Sequence, residues 1–102
     1  MAMLRGQLYW LDLGFGEKPW VVVSNNSRNG KLGSVLVARV TTTSKPPIPS
    51  VVSLGPGEPV VGSVLCDDIE TIYDDDGARY GGTLTPATMR RVDSALKVAF
   101  GL

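Results

Sequence analysis

Lys18-Pro19-Trp20-Val21-Val22-Val23-Ser24-Asn25-Asn26, followed by Val35-Leu36-Val37-Ala38-Arg39-Val40-Thr41-Thr42-Thr43-Ser44-Lys45-Pro46, is the pair of segments on which the reading of this chain turns. Both contain apolar runs dominated by valine, the composition that suits a pleated, half-buried or buried strand. Lys18 enters the first run and Thr41 leaves the second. Two strands that bring a cation and a hydroxyl to one end make a frame for a nucleic-acid cleft that needs neither a metal nor a histidine.

Working outward, Leu8 to Leu13 carries Tyr, Trp and Leu with few breakers and predicts a strand buried on both faces or at an interface. Gly14 to Pro19 predicts a turn, and the strand of the quoted stretch then runs from Trp20 to Ser24. Asn25-Asn26-Ser27-Arg28-Asn29-Gly30 predicts a polar loop ending in a hairpin-type Asn-Gly, either a ligand contact or an ordinary solvated turn. Strands are expected at Ser34–Thr42, Ser50–Leu54 and Val60–Ile69, separated by the proline-rich Lys45–Pro49 and the turn Gly55–Pro59. Five to seven short strands at this spacing predict a mainly β (α+β) fold, a small, partly open barrel. One helix closes the chain: Thr85 caps it, Pro86 suits its first position, and Met89, Val92, Leu96, Ala99 and Phe100 form a stripe before Gly101 stops it.

The chain of 102 residues is expected to be a single domain, with room for one modest core. No basic region followed by an apolar run opens it, and no stretch approaches the ~20 apolar residues of a membrane span, so the expected location is the cytoplasm. Cys66 is the only cysteine, which excludes an internal disulfide. Histidine is absent, which removes the commonest general base near neutral pH and the commonest metal ligand. Asp74-Asp75-Asp76-Gly77 lacks the alternating ligands and closing glutamate of a calcium loop, so no metal or cofactor is expected. Net charge is zero, but its distribution is uneven. Residues 1–50 hold six cations against two acids, a net of +4, and residues 51–102 hold four against eight, a net of −4. Either the basic half faces phosphates, or the two halves interleave in space and cancel.

The two quoted segments resemble the MazF/PemK family of toxin endoribonucleases, which pairs an Arg-Pro-Val-Val-Val-Ser-Asn-like strand with a later strand ending in Thr-Thr. Arg5 to Gly14 is similar to that family's opening strand, and Leu65-Cys66-Asp67-Asp68-Ile69-Glu70-Thr71-Ile72 to its last strand before the terminal helix. The resemblance implies an SH3-like or CcdB-like barrel that dimerises. It further implies an endoribonuclease that cuts single-stranded RNA through its own 2′-OH to leave 2′,3′-cyclic phosphate and 5′-OH ends, and a cognate antitoxin partner. It assigns catalysis to Lys18 and Thr41. Lys18 stands where the family usually has arginine, and a flexible point charge replaces a planar bidentate clamp. Arg39, two residues before Thr41 on the same strand, is directed to the same face and is the alternative cation, unless it pairs with a strand neighbour. Thr42 and Lys45 continue the RNA-binding edge. Asp67 and Asp68 match an acidic and amide pair near the bases and suit reading of amino groups better than phosphate binding; the alternative is that they solvate a turn. Phe15 in its glycine loop is placed to stack a base, and Ser24 and Asn25 are further nucleotide contacts.

Two other functions remain open on the residues alone. A CcdB-like toxin of the same fold would bind gyrase and need neither Lys18 nor Thr41. An SH3-like module would bind RNA or peptide without cutting it.

Overall fold

In the computed structural model, which describes residues 3–102, six antiparallel strands form one sheet in the order β4-β5-β3-β2-β1-β6. The elements run β1 (Gln7–Asp12), β2 (Glu17–Val22), α1 (Asn26–Leu32), β3 (Ser34–Thr41), β4 (Val51–Ser53), β5 (Ser63–Tyr73), β6 (Arg79–Thr83) and α2 (Pro86–Phe100). The sheet is not closed, and among the described residues β4 and β6 are its two edges. The predicted partly open β architecture with a C-terminal helix therefore holds.

Strand periodicity sorts the apolar side chains into two cores. Leu8, Val21, Ala38, Val40, Val64 and Cys66 pack on α2 through Met89, Val92 and Ala95. Tyr9, Trp20, Val22, Val35, Val37 and Ile72 form a second cluster. Trp20 is fully buried and its indole N–H donates to the Leu11 carbonyl at 3.3 Å, so its one polar atom is satisfied. This two-sided burial explains why β3 reads as a nearly continuous apolar run.

Four sequence expectations are corrected. The stretch Asn25–Gly30 is not a solvated loop: residues 26–32 form α1, capped by Asn25, whose side chain accepts from the Ser27 amide at 2.7 Å, and stopped by Gly33 at φ 66°. The Asn-Gly pair misled because Asn29 is 1 % exposed and works inside the fold, its amide donating to the Ser24 carbonyl at 3.0 Å and its carbonyl oxygen accepting from the Ser24 hydroxyl at 2.5 Å. β2 begins at Glu17, earlier than expected, because Pro19 sits within the strand opposite Trp10 of β1. Leu65–Ile72 is not the last strand before the helix: it lies within β5, which starts at Ser63 and reaches Tyr73, and β6 follows before α2. Phe100 leaves the helix stripe and stands 61 % exposed, while Leu96 and Ala99 pack partly on the core.

Thr85 caps α2 as predicted, its hydroxyl oxygen accepting from the Thr88 amide, and Gly101 terminates it at φ 70°.

Candidate functional site

β2 and β3 run antiparallel with Trp20 opposite Arg39 and Val22 opposite Val37. Continued toward the sheet end, that register sets Lys18 across from Thr41. Both line a cleft of roughly 430 Å³, together with Thr42, Trp10, Glu17, Pro19 and the 58–61 segment. The Thr41 residue is 7 % exposed, and its hydroxyl oxygen accepts from the Thr43 amide at 3.1 Å. That bond orients the oxygen and leaves the hydroxyl proton for an acceptor arriving in the cleft. Lys18 is half-buried and forms no ion pair within 4 Å among the described residues. Its neighbour Glu17 is instead paired with Arg79 of β6.

The walls of this cleft depend on glycines. Gly62, at φ 119°, meets the Thr41 carbonyl so closely that an added Cβ would lie 2.2 Å from its oxygen. A Cβ on Gly81 would lie 2.6 Å from the Trp10 indole nitrogen, so that glycine gives the Trp10 ring its place at the cleft.

A second cluster forms around Arg39. Its guanidinium pairs with Asp68 at 3.4 Å, the strand-neighbour pairing left open by the sequence, and lies 5.6 Å from the centre of the Phe15 ring. Arg39 Nε is buried without a hydrogen-bond partner. Asp68 reaches Arg39 because β5 is bulged here: Ala38 pairs with Ile69 while Arg39 pairs with Leu65, so Cys66, Asp67 and Asp68 stand as extra residues. Bulges re-aim side chains in this way and recur beside active sites. Asp67 is turned elsewhere, its carboxylate accepting from the Ser50 hydroxyl at 2.5 Å. Cys66 is buried, and that burial, with the Asp67 charge beside it, pushes its thiol up to about 11.

The remaining sequence-predicted residues are not gathered into the cleft. Ser24 is 7 % exposed, and its hydroxyl is committed on both sides, donating to Asn29 and accepting from the Leu36 amide at 2.9 Å. Asn25 is exposed but occupied as the cap of α1. Lys45 lines a separate groove with Pro46–Pro49 and Arg91.

Sequence reasoning missed Trp10 and the segment Glu58-Pro59-Val60-Val61, which form cleft wall. Trp10 was legible only as a strand residue, and nothing local to Gly55–Val61 says which distant surface the turn covers. Glu58 spans that distance: its carboxylate accepts from the Thr85 amide at 3.0 Å, the Thr85 hydroxyl at 2.7 Å and the Thr88 hydroxyl at 2.5 Å. Partial burial alone would raise its pKa, but these bonds and the Arg91 charge outweigh it and hold the carboxyl below its ordinary value.

A family profile described as PemK-like, MazF-like toxin of type II toxin-antitoxin system matches residues 4–100. The chain is 48 % identical over 101 residues to endoribonuclease MazF4 of Mycobacterium tuberculosis, covering 99 % of this chain and 95 % of that protein. Among solved structures it is similar to an endoribonuclease in complex with its cognate antitoxin from a mycobacterial species, with TM-score 0.93, 48 % identity and coverage of 99 % and 97 % of the two chains. It is also similar to a MazE–MazF structure from Deinococcus radiodurans, with TM-score 0.84, 25 % identity and coverage of 100 % and 98 %.

Proposed function

The chain belongs to the PemK-like, MazF-like toxin family of type II toxin–antitoxin systems, and from that premise we propose that its cleft is the active site of an endoribonuclease cutting single-stranded RNA without a metal. The observation that carries this reading is the meeting of Lys18 and Thr41, from adjacent strands, in one cleft. The gyrase-binding and non-cutting alternatives have no support from the relatives, which are endoribonucleases along nearly the whole length of the chain.

The chemistry follows from the substrate. A ribose 2′-OH is a nucleophile already placed beside its phosphate, so the protein has to orient it and stabilise charge. The 2′-oxygen forms a bond to phosphorus as its proton passes to a water molecule in the open cleft, and the bond from phosphorus to the 5′-oxygen breaks. The products are a 2′,3′-cyclic phosphate and a 5′-OH. Thr41 donates its hydroxyl proton to a non-bridging phosphate oxygen, whose added charge in the transition state strengthens that bond. Lys18 supplies the positive charge and a proton for the departing 5′-oxygen.

Arg39 and Phe15 extend the site. The partly exposed Arg39 guanidinium and the exposed Phe15 ring, 5.6 Å apart, supply a charge for phosphate and a stacking surface. Thr42, at the cleft, and Lys45, at the neighbouring groove, continue the basic and polar path, and the carboxylate oxygen of Asp68 outside its Arg39 pair is proposed to accept from a base amino group. A fully internal Ser24 takes no part in this reading, and Asn25 and Asp67 contribute to the local structure that holds the site.

As a toxin of this family, the chain is proposed to act as one domain over residues 1–102, as a homodimer and in the cytoplasm, restrained by a cognate antitoxin. No helix among the described residues is long and apolar enough to cross a membrane. Sedimentation as a monomer at micromolar concentration overturns the dimer. An acidic antitoxin segment competes with RNA for the cations, so its inhibition weakens as salt rises. The function itself is tested by incubating purified protein with single-stranded RNA and with DNA of the same sequence in EDTA. RNA cut and DNA intact is the expected result; cutting that needs added magnesium, or equal cutting of DNA, overturns it.

A further inference from the structure

The turn that follows β4 crosses the molecule to reach the helix. Leu54 donates its amide to the Gly62 carbonyl at 2.9 Å, which closes residues 54–62 into a loop at its base. At the loop's apex the Glu58 carboxylate accepts three hydrogen bonds from the start of α2, from Thr85 twice and from Thr88 once. Thr88 is 5 % exposed, so its hydroxyl has few alternatives to Glu58. The next residue is keyed as well: a Cβ on Gly82 of β6 would lie 2.6 Å from Pro59 Cβ, and only the missing side chain allows this approach.

The inner side of the same loop is cleft wall. Glu58, Pro59, Val60 and Val61 face a space whose other side is Lys18, Thr41, Thr42, Trp10 and Pro19. Val61 is 74 % exposed, and of the two wall valines only Val60 packs on the core, in part. The position of the wall is set by that contact, by the anchor at Glu58 and by the base at Gly62.

We infer that Glu58 is a positioning residue for the RNA substrate: by tying the 54–62 loop to the first turn of α2 it sets the width of the cleft opposite Lys18 and Thr41. The inference rests on the proposed RNA-cutting function. Glu58 touches no reacting atom in this account. Thr41 is held independently, by its pairing with Ser63 in the β3–β5 ladder, so loosening the loop leaves the reacting groups in place and removes a wall against which RNA packs. Loss of the anchor therefore appears in KM and little in kcat, the signature of an interaction shared by bound substrate and transition state.

Three variants and two readouts test this. Glu58→Ala removes all three acceptor contacts, Thr88→Val removes one buried hydroxyl while keeping the shape, and Thr88→Ser restores the hydroxyl. In cleavage of a defined single-stranded RNA, Glu58→Ala is expected to raise KM by about tenfold with kcat within about twofold of wild type, Thr88→Val to raise KM by a smaller factor, and Thr88→Ser to match wild type. Amide hydrogen exchange on the RNA-free proteins reads the anchor without activity: exchange at Glu58, whose amide donates to the Gly55 carbonyl, and at Thr85, whose amide donates to the Glu58 carboxylate, should accelerate in Glu58→Ala and Thr88→Val, while Leu36 and Val37 in β3 stay protected. Wild-type cutting with an unchanged KM in Glu58→Ala, or unchanged loop exchange, overturns the inference and leaves the function standing. A wild-type protein that leaves RNA intact overturns the function itself, and the substrate role of Glu58 with it. If Glu58→Ala does not fold, the Thr88 pair decides alone, and equal KM for Val and Ser at that position overturns the inference.

Discussion

Replacing Asn29 by alanine should cost more stability than any exposed substitution in the first half of the chain, and the structure says how much. Asn29 is 1 % exposed, donates to the Ser24 carbonyl at 3.0 Å and accepts from the Ser24 hydroxyl at 2.5 Å. Truncation leaves that carbonyl and that hydroxyl proton facing a space without partners, at about 1–3 kcal/mol for each buried unsatisfied group. The hydroxyl regains part of its loss by rotation, so the net cost is about 2–4 kcal/mol, a large share of the ~5–15 kcal/mol that holds such domains folded. At about 4–8 °C per kcal/mol for a chain of this size, the melting temperature should fall by roughly 8–32 °C. Urea unfolding should show a lower midpoint with an unchanged slope, because the surface exposed on unfolding is the same. Ser24→Ala should behave alike in kind, since the Leu36 amide also loses its acceptor. Below its melting temperature it should cut RNA with the wild-type KM. A drop under ~3 °C for Asn29→Ala refutes the energetic reasoning, and a raised KM for Ser24→Ala shows that its hydroxyl contacts RNA after all.

Cys66 should resist thiol reagents at neutral pH in the folded protein and react once urea unfolds it, because burial and the nearby Asp67 charge raise its thiol to about 11; stoichiometric labelling of native protein contradicts this. Glu58 has a lowered folded pKa, so the stability it lends is present above the ordinary carboxylate range and is lost as pH falls through the folded value, with Arg91 of α2 and Glu17 and Lys18 of β2 as the charged groups around that cleft wall. Thermal melts of wild type and Glu58→Gln should therefore differ at pH 7 and converge in strong acid, and a constant gap refutes the assignment. Arg39→Ala should weaken RNA affinity about tenfold and flatten its salt dependence while leaving residual cutting, measured by binding to an uncleavable 2′-deoxy analogue; complete loss of cutting with unchanged affinity makes Arg39 the catalytic cation instead of Lys18.

The strands were legible where burial is uniform along the chain. β3 and β2 announced themselves through runs of valine, and α2 through its cap, proline and stripe, because these signals are local. The first helix was not legible, since Asn29-Gly30 carries the composition of a hairpin turn and only the folded structure shows that its polar groups turn inward to Ser24 and Ser34, five and six residues away: the Arg28 guanidinium donates to the Ser34 carbonyl at 2.8 Å. β6 was missed because Arg79-Tyr80-Gly81-Gly82-Thr83 has poor strand propensity, and its glycines serve the packing of Trp10 and Pro59.

The site shows the same division. Lys18 and Thr41 could be chosen from the resemblance and from their places at strand ends, but their meeting depends on the β2–β3 register. Asp67 and Asp68 read as an equivalent pair; the β5 bulge separates their tasks, sending one carboxylate to Ser50 and the other to Arg39. Glu58 was invisible as a site residue because its partners, Thr85 and Thr88, are 27 and 30 residues away.

The central claim is that Lys18 and Thr41 act together on the phosphate of a single-stranded RNA. Single-turnover cleavage of one RNA in EDTA by wild type, Lys18→Ala and Thr41→Ala, with the product ends identified by mass spectrometry, tests it most directly. Wild type should yield 2′,3′-cyclic phosphate and 5′-OH ends, and each variant, folded and melting near wild type, should cut at least ~100-fold more slowly, the scale of one aimed charge or donor in a transition state. Either folded variant cutting at the wild-type rate, or wild-type products carrying 3′-OH and 5′-phosphate ends, contradicts the account.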